Sequence, residues 1–535
     1  MKELPIGIQS IKKILAKGDC IYVDKTPFAY NLISGITANF FLSRPRRFGK
    51  SLFLDTLAEI FKGNKELFKD CAIYHTDYDW QPYPVLIFDF LDIDSSTVEG
   101  FKTGLKEALE DLAELYGLTI SGSSLQSQLK RLVRALAKKG PVVVLVDEYD
   151  RPIVHNLERP AVAEANRELL SDFFGTFKSL SKYLRFLFIT GISRFAQVSI
   201  FSSFNNLEDL TMDPAYSAML GYTEEELKSA FNEHLSTIAQ ERGVDETAIL
   251  TELKEWYNGY RFSKAPKYVY NPFSTLKYMR TREADSYWYT TGTPSFLIQE
   301  IQKRPTLTTS LAGISVSQTA LMNIRSIEDI DLPTLMFQTG YLTIQDWEWD
   351  KTLKTTIYKL NFPNEEVHQA FFQSLITDLG KLIPQAISEH AAQLQKELIS
   401  LDLPAAIKTL NIQFAKIPYH AFQQAKEGFY QAIMLLCLEL SGLRTYGEVY
   451  TNLGRIDLVV QLPKHTFIFE LKVDQPAAIA LDQIHSKRYK ERYLKEGKEI
   501  VAVAMSFSTE TRNIGQCNGG LYTAQGELVK ELAGI

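Results

Sequence analysis

A short apolar run at residues 40–42 leads through a basic turn into Gly49, Lys50 and Ser51, and a helical pattern follows. This order of strand, loop and helix is typical of a phosphate-binding loop, or Walker A motif. Gly49 lets the backbone approach a phosphate, and Lys50 can reach the β- and γ-phosphates. The Ser51 hydroxyl can coordinate Mg²⁺, while the helix N-terminus supplies free N–H groups and a positive dipole end. The stretch predicts a nucleotide site.

The loop departs from the usual pattern at one position. Arg44 stands five residues before Gly49, where the first glycine of the loop normally lies. We therefore expect the chain to turn through Ser43 and Pro45 instead. Because a bare Gly-Lys-Ser triplet is common by chance, the interpretation needs an acidic strand further along the chain.

That strand is a continuous apolar run at residues 142–146, which ends in Asp147 and Glu148. Such a run is typical of a parallel strand that is covered on both faces. As a Walker B residue, Asp147 can hold the Mg²⁺ shell, and Glu148 can orient and deprotonate the attacking water. The competing interpretation is a buried strand that ends in an acidic helix cap. Together the two motifs favour an NTP-binding protein.

Length, composition and charge limit the number of domains and the kinds of partner that the protein can have. A chain of 535 residues predicts about two to four domains. The sequence has no signal-peptide core and no apolar stretch near the roughly 20 residues that span a bilayer, so no membrane partner is expected. Four cysteines without Cys-x-x-Cys spacing predict neither a zinc site nor a disulfide framework, and a cytoplasmic location is expected. The net charge of −6 still permits a local basic groove for nucleic acid.

Further apolar runs at residues 84–90 and 183–191 alternate with helical patterns at 51–61, 97–117 and 124–139. Strands that alternate with helices predict a parallel sheet with right-handed crossovers. Ligands of such a sheet bind at the carboxyl ends of the strands.

Thr190, Ser193 and Arg194 follow the last of these runs and are expected at that edge. One of them can sense the γ-phosphate, and Arg194 can neutralise charge in the transition state. A surface salt bridge is an equal alternative for Arg194.

A set of motifs occurs in one order along the chain: residues 23–26, 44–51, 147–150, 190–194 and 205–209. The set resembles the AAA-ATPase-like family of bacterial proteins, over roughly the first two hundred residues. Members of that family also carry arginine in place of the first loop glycine. ATP is preferred as the nucleotide because no Asn/Thr-Lys-x-Asp element is placed to read guanine. The residues expected to contact the nucleotide are Arg46, Arg47, Phe48, Gly49, Lys50, Ser51, Leu52 and Asp147.

The middle of the chain is mostly helical, with aromatic turns at residues 256–262, 270–274 and 287–294. These turns resemble the same family's region after the ATPase core, and packing of a helical lid is the favoured interpretation. A lid that closes over nucleotide would couple hydrolysis to movement. A helix at 335–344 followed by a β-wing at 358–367 makes a winged-helix element plausible, although the stretch is not basic enough for a DNA reader.

The C-terminal part has three strand patterns, at residues 446–450, 454–460 and 466–473. Glu470 and Lys472 lie two residues apart, so both point to the same face of their strand. If the two neighbouring strands pair, Asp457 can meet Glu470 around one hard cation such as Mg²⁺ or Mn²⁺. Lys472 can then position a water or stabilise developing charge. This set predicts phosphodiester cleavage, although Asp followed by Glu-x-Lys is a short pattern.

A helix is predicted from Leu481 through Tyr489, and it continues with Lys490, Arg492, Lys495 and Lys498. Gln483 and Tyr489 can touch the site, and the basic residues can hold phosphates. The segment from about 420 to 520 resembles the PD-(D/E)XK nuclease superfamily branch that is commonly fused to this ATPase. The resemblance implies roles for six residues: Asp457 and Glu470 as metal ligands, Lys472 as the catalytic lysine, Glu448 and Gln483 as supporting residues, and Glu427 as a weaker candidate.

The predicted fold is therefore α/β, with a P-loop NTPase parallel sheet, a helical and winged-helix-like lid, and a C-terminal restriction-endonuclease-like domain. The predicted domains are 1–212, 213–365 and 366–535, with a nuclease core at about 420–520. The expected function is a bacterial, cytoplasmic ATPase whose nucleotide cycle gates a Mg²⁺-dependent nuclease. The expected partner is nucleic acid, DNA rather than RNA.

Two alternatives stay open. In one, the protein is an ATP-driven switch whose C-terminal domain binds nucleic acid or a protein without cutting. In the other, it is a signalling ATPase that forms homo-oligomers, with a role in phage defence or mobile-element control.

Overall fold

The computed structural model describes residues 1–16, 18–194, 200–201, 207–288, 314–322, 331–380, 384–417, 427–494 and 496–532. In residue 322 and in residues 375–380 and 384–389 only the backbone is described. The described residues form two compact units, the first within 1–292 and 315–367 and the second within 293–314 and 368–535. The predicted ATPase part and most of the predicted lid lie in the first unit, while residues 293–314 belong to the second. The division into three domains stays a prediction.

The first unit contains a five-stranded parallel sheet in the order β2-β3-β4-β1-β5. Its strands are β1 (Asn39–Ser43), β2 (Val85–Asp89), β3 (Val142–Asp147), β4 (Leu184–Gly191) and β5 (Glu208–Asp209). Every residue of β3 is buried, as a strand covered on both faces requires. Because β4 lies between β1 and β3, the predicted loop and the acidic strand end stand on either side of the end of β4.

Helices cover both faces of this sheet, and the predicted helices are confirmed at Lys50–Phe61, Val98–Leu115 and Leu125–Leu136. Thr97 and Ser124 begin two of them by accepting hydrogen bonds from backbone N–H groups three residues on. The helices are α1 (Ile11–Leu15), α2 (Thr26–Ser34), α3 (Lys50–Phe61), α4 (Val98–Leu115), α5 (Leu125–Leu136), α6 (Arg151–Val154) and α7 (Pro160–Leu180).

The segment before α2 forms no regular strand. Residues 21–25 are extended, and α2 begins at Thr26. Just before this segment, Glu3 and Cys20 form an isolated β-bridge. The apolar side chains of the segment, Ile21 and Val23, pack into a helical core with Leu227 and Phe231.

The rest of the first unit is the lid, which consists of helices and a small sheet. Its sheet has the order β6-β8-β7. The predicted helix at 335–344 ends already at Thr339, and the β-wing predicted at 358–367 is a hairpin of Thr343–Asp350 with Thr355–Asn361. Residues from Glu365 onward belong to a helix, because the apolar spacing there is helical. The lid elements are α8 (Glu224–Ala230), α9 (Asn232–Arg242), α10 (Glu246–Tyr257), α11 (Pro272–Thr281), β6 (Ile314–Ser317), α12 (Gln318–Met322), α13 (Leu332–Thr339), β7 (Thr343–Asp350) and β8 (Thr355–Asn361).

The second unit combines helices with a six-stranded mixed sheet in the order β14-β13-β12-β11-β10-β9. Helix α14 (Glu365–Gly380) begins in the first unit and continues into the second. The other elements are α15 (Pro384–Ile399), α16 (Leu403–Ala415), α17 (Glu427–Leu440), β9 (Thr445–Tyr450), β10 (Arg455–Gln461), β11 (His465–Val473), α18 (Ala477–Ser486), β12 (Glu499–Ser508), β13 (Asn513–Tyr522) and β14 (Leu528–Leu532). Among the helices that the structure describes, none has the length and apolar character to cross a bilayer.

Candidate functional sites

The phosphate-binding loop follows β1 and ends at the start of α3. Arg47 and Gly49 have φ values of 67° and 92°, and Gly49 is the N-cap of the helix. Ser43 belongs to β1, and the N–H of Arg44 donates to the carbonyl of Gly191 at 3.2 Å. The expected turn through Ser43 and Pro45 is therefore wrong. Strand pairing extends to Arg44, so the reversal is made by the left-handed residues that follow.

Arg44 occupies the position of the missing glycine and is 1% exposed. Its Nη1 donates to the carbonyl of Thr211 at 2.8 Å, and its Nη2 donates to the carbonyl of Tyr216 at 3.2 Å. The guanidinium lies 4.2 Å from the ring centroid of Phe262. Arg44 thus anchors the loop to the segment after β5 and to the lid.

Lys50 is buried, and its Nζ lies against the inner side of the loop. It donates to the carbonyls of Arg44 at 3.1 Å and Pro45 at 3.2 Å, and it lies 3.5 Å from Oε1 of Glu148. The amine is therefore held between the loop and the acidic strand end, where the predicted phosphates and attacking water would meet.

Ser51 and Asp147 join the loop to β3. The Ser51 hydroxyl donates to Oδ2 of Asp147 at 2.5 Å. Burial and the charge of Glu148 raise the pKa of Asp147 to about 6. A hydroxyl and a carboxylate side by side are oxygen donors of the kind that Mg²⁺ takes, so the residues present fit the predicted ion.

The carboxyl end of β4 is fixed to the end of β3 by Asp150. Its carboxylate accepts hydrogen bonds from the N–H of Ser193 at 2.7 Å and from the Ser193 hydroxyl at 2.5 Å. The hydroxyl of Thr190 is buried and has no hydrogen-bond partner within the described ranges. Arg194 forms an ion pair with Asp209, in which the arginine is buried and the aspartate is partly exposed.

The remaining loop side chains differ in position. Phe48 is buried and packs edge-on against aromatic rings of the lid, whereas Arg47 is exposed and lies over Phe273. Arg46 and Leu52 are half-buried. The motif at residues 205–209 is described only from Leu207, since Asn205 and Asn206 lie outside the described residues.

The second predicted site lies where β10 and β11 pair antiparallel, with Leu458 opposite Phe469. This pairing, which the prediction required, brings Asp457 next to β11, and its Oδ2 accepts from the N–H of Leu471 at 2.7 Å. Lys472 Nζ donates to Oε1 of Glu470 at 3.2 Å. The three predicted side chains therefore meet.

The electrostatics of this cluster fit a cation. Burial raises the pKa of Asp457 to about 6, and burial together with the charge of Asp457 raises the pKa of Glu470 to about 8. Burial lowers the pKa of Lys472, but the nearby carboxylates outweigh it and leave the pKa above its ordinary value. Oε2 of Glu470 is buried without a hydrogen-bond partner in the described part of the chain. An unpaired carboxylate oxygen beside a second carboxylate suits Mg²⁺ or Mn²⁺.

Gln483 and Tyr489 support the cluster through the backbone of β10. Nε2 of Gln483 donates to the Tyr489 hydroxyl at 3.2 Å, and that hydroxyl donates to the carbonyl of Arg455 at 2.8 Å. Glu448 forms an ion pair with Nη1 of Arg455 at 2.9 Å. Glu427 begins α17, and its charge contributes to the raised pKa of Asp457.

The predicted long basic helix is wrong. Helix α18 ends at Ser486, and Arg488 has a φ of 54°, a left-handed conformation that stops the helix before the 3₁₀ turn Tyr489–Tyr493. Lys490 lies 3.4 Å from the ring centroid of Tyr522, and Arg492 Nη1 donates to the carbonyl of Tyr450 at 2.7 Å. Lys495 lies outside the described residues.

Comparison with known proteins matches two separate parts of the chain to family models. Residues 5–201 match the model described as Predicted AAA-ATPase, and residues 425–517 match the PD-(D/E)XK nuclease superfamily. The chain also matches the solved structure of the Aeropyrum pernix ORC2 protein in ADPNP and ADP complexes, with 9% identity and a TM-score of 0.25. That match covers 66% of this chain and 94% of the other, and a similarity this low carries no weight for the fold.

A protein of Azotobacter chroococcum mcd 1, described as "Uncharacterized protein in vnfD 5'region", is 36% identical to this chain over 527 residues. The match covers 96% of this chain and 98% of that protein. The chain therefore belongs to the same family as this protein, and it joins a predicted AAA-ATPase domain to a domain of the PD-(D/E)XK nuclease superfamily.

Proposed function

We propose that the protein binds and hydrolyses ATP, and that its nucleotide cycle gates a metal-dependent nuclease that acts on nucleic acid. The observation that carries the proposal is the cluster of Asp457, Glu470 and Lys472, in which one buried carboxylate oxygen of Glu470 has no partner among the described residues. A buried carboxylate oxygen without a hydrogen-bond partner lowers the stability of the fold unless a ligand or ion binds it. Proteins keep such destabilising groups mainly at functional sites.

At the ATP site, Lys50 and the loop N–H groups bind the β- and γ-phosphates. Ser51 and Asp147 would hold Mg²⁺, which neutralises phosphate charge when bound. Glu148 lies 3.5 Å from Lys50, within reach of the same phosphate region, and it orients and deprotonates the water. Arg194 stabilises transition-state charge after release from Asp209.

At the nuclease site, Asp457 and Glu470 would hold Mg²⁺ or Mn²⁺, which supplies a Lewis acid and an activated water when bound. Lys472 positions the water and stabilises the charge that develops on the phosphate. Gln483 keeps its place through Tyr489. The exposed side chains of Lys487, Arg488 and Arg492 provide positive charge for the phosphate backbone, and we take DNA as the substrate in preference to RNA.

The test is cleavage of plasmid, single-stranded DNA and RNA with Mg²⁺ or Mn²⁺, with and without ATP. The wild type is compared with Lys50→Ala and Glu470→Ala, and the exposed Lys102→Ala and Glu527→Ala serve as matched controls. We expect the wild type to cleave nucleic acid, Glu470→Ala to abolish this cleavage and Lys50→Ala to change its dependence on ATP. Both control variants should behave like the wild type. Cutting that survives Glu470→Ala would point to a contaminant. No cutting under any condition, with ATP still hydrolysed, would favour a switch that binds without cutting.

A further inference from the structure

Four aromatic side chains of the lid surround the phosphate-binding loop, and we call them the aromatic cradle: Tyr260, Phe262, Phe273 and Trp288. The ring of Phe48 meets Tyr260 edge-on at a centroid distance of 4.7 Å and Phe262 at 5.5 Å. Arg44 lies over Phe262 at 4.2 Å and Arg47 over Phe273 at 4.9 Å.

The cradle belongs to the aromatic turns whose predicted role was packing of the lid. Its contacts reach the side chains of Arg44, Arg47 and Phe48, whereas Lys50 Nζ donates to loop carbonyls. The lid therefore holds loop side chains while Lys50 holds the loop backbone. These contacts keep the loop in place without the first glycine.

Trp288 is the cradle residue that forms a hydrogen bond with the backbone of the phosphate-binding loop. Its Nε1–H donates to the carbonyl of Arg46 at 3.1 Å, across 242 residues of sequence. The peptide between Arg46 and Arg47 is trans and planar, so its C=O and N–H point in opposite directions. With the carbonyl turned to Trp288, the N–H of Arg47 points away from the indole, and a phosphate oxygen bound on that side would accept it.

Trp288 is itself held by a buried carboxyl group in the first turn of α14. Its backbone N–H donates to Oε1 of Glu366 at 2.7 Å, and the Ser274 hydroxyl donates to the same oxygen at 2.9 Å. Glu366 is fully buried, and Trp288 is 3% exposed. Glu366 therefore fixes the backbone of Trp288, and the edge-on ring of Tyr341, at a centroid distance of 5.1 Å, packs against its indole. A group that orients another group must be held in this way.

We propose that Trp288 is a positioning residue for the ATP site: through the carbonyl of Arg46 it holds the loop with its N–H groups directed at the β- and γ-phosphates. The inference rests on the proposed ATP binding. It assigns to the lid a part in shaping the nucleotide site, and it explains how a loop with Arg44 in place of glycine keeps its shape.

The experiment uses the full chain and measures ATP and ADP affinity by calorimetry with Mg²⁺, for wild type, Trp288→Phe and Trp256→Phe. Trp288→Phe keeps an aromatic ring and removes the donor. Trp256 packs against the core of the same lid through α10 and makes no loop contact that the structure shows, so it is the matched control. We expect Trp288→Phe to bind both nucleotides about fivefold more weakly, the effect of one net hydrogen bond.

A second readout is intrinsic fluorescence. Because Trp288 touches the loop, ATP should change the tryptophan emission of the wild type and of Trp256→Phe, and this change should be absent in Trp288→Phe. A merely structural role would lower the melting temperature of Trp288→Phe and leave the ATP affinity of its folded fraction unchanged, which would overturn the inference.

If Trp288→Phe does not fold, Phe262→Leu decides, since it removes the ring under Arg44 and Phe48 and keeps an apolar side chain. Weaker ATP binding in folded Phe262→Leu is expected, and unchanged binding would overturn the inference. Failure of the wild type to bind ATP would instead overturn the proposed function itself, which separates the two results.

Discussion

The Ser51 hydroxyl donates a 2.5 Å hydrogen bond to the carboxylate of Asp147, and this bond joins the first turn of α3 to the end of β3. The two groups come from positions 96 residues apart. Their pairing places two oxygen ligands beside the amine of Lys50, so the residues that would hold a metal and a phosphate are already assembled.

Asp147→Asn tests the metal role. The amide keeps the size and can still pair with Ser51, but it removes the negative charge that would bind Mg²⁺. We expect ATP hydrolysis to fall by on the order of 10² or more, since charge neutralisation of the phosphates is lost, with the fold intact. Phosphate release and circular dichroism give the two measurements, and a variant that hydrolyses ATP at the wild-type rate would contradict the assignment.

Glu148→Gln tests the base. Glu148 is held at a φ of 51°, and strained backbone of this kind persists where function requires it. Loss of a general base slows hydrolysis by roughly 10² to 10⁴-fold, and ATP affinity should stay near that of the wild type because Lys50 and the loop are untouched. Single-turnover hydrolysis and calorimetry separate the two effects, with Glu164→Gln on α7 as the control. Equal losses of binding and hydrolysis would argue for a structural role.

Glu470→Gln tests the second metal site without any substrate. In the wild type, Mn²⁺ should raise the melting temperature, because an ion that binds only the folded state stabilises it by mass action. In Glu470→Gln this Mn²⁺-dependent rise should be small or absent. In EDTA the melting temperature of Glu470→Gln should equal or exceed that of the wild type, because the variant no longer buries a carboxylate at a cost in stability. Thermal melts with EDTA and with Mn²⁺ give the comparison. An identical Mn²⁺ response in both proteins would exclude Glu470 as a ligand.

Glu366 predicts a pH dependence of stability. Burial raises the pKa of Glu366 to about 8, and the group that adds to this increase is Asp285, while Ser274, Trp288 and Tyr287 donate hydrogen bonds that oppose it. The folded chain therefore keeps a proton that the unfolded chain releases at an ordinary glutamate pKa. This stability is fully present below the unfolded pKa and is lost as pH rises through about 8.

Glu366→Gln should abolish this loss of stability with rising pH. Between pH 5 and pH 8, the unfolding free energy of the wild type should fall relative to that of the variant by up to roughly 1.4 kcal/mol per pH unit. Urea unfolding at several pH values measures it, and the exposed Glu255→Gln controls for surface charge. Parallel profiles for Glu366→Gln and wild type would mean that the carboxyl group is ionised in the fold.

Gly259→Ala should destabilise the lid strongly. Gly259 has a φ of 95°, and a Cβ there would lie 1.9 Å from the carbonyl oxygen of Pro363. Gly243 has a φ of 66° with no atom within 4 Å of its Cβ position, so Gly243→Ala carries only the conformational cost of about 1–2 kcal/mol. At Gly259 the overlap of the new Cβ with Pro363 should add roughly 1–3 kcal/mol to this conformational cost. Equal unfolding free energies for the two variants would contradict the close approach.

Much of the fold could be predicted from local patterns. The buried strand at 142–147, the helix at 98–115 and the antiparallel strands around Asp457 and Glu470 each follow from the spacing of apolar residues and from the residues that end them. The helix end at Ser486 was missed, because a left-handed Arg488 has no signature in its side chain.

The sequence alone determined which side chains form the two candidate sites. Lys50, Ser51, Asp147, Glu470 and Lys472 stand in short motifs, and the spacing of each motif puts its side chains on one face of a strand or at one end of a helix. Only the tertiary structure decided that β4 separates the loop from the acidic strand and that Trp288 holds the carbonyl of Arg46. Contacts of this kind join residues hundreds of positions apart. Their geometry depends on how whole elements pack, which no local pattern of residues encodes.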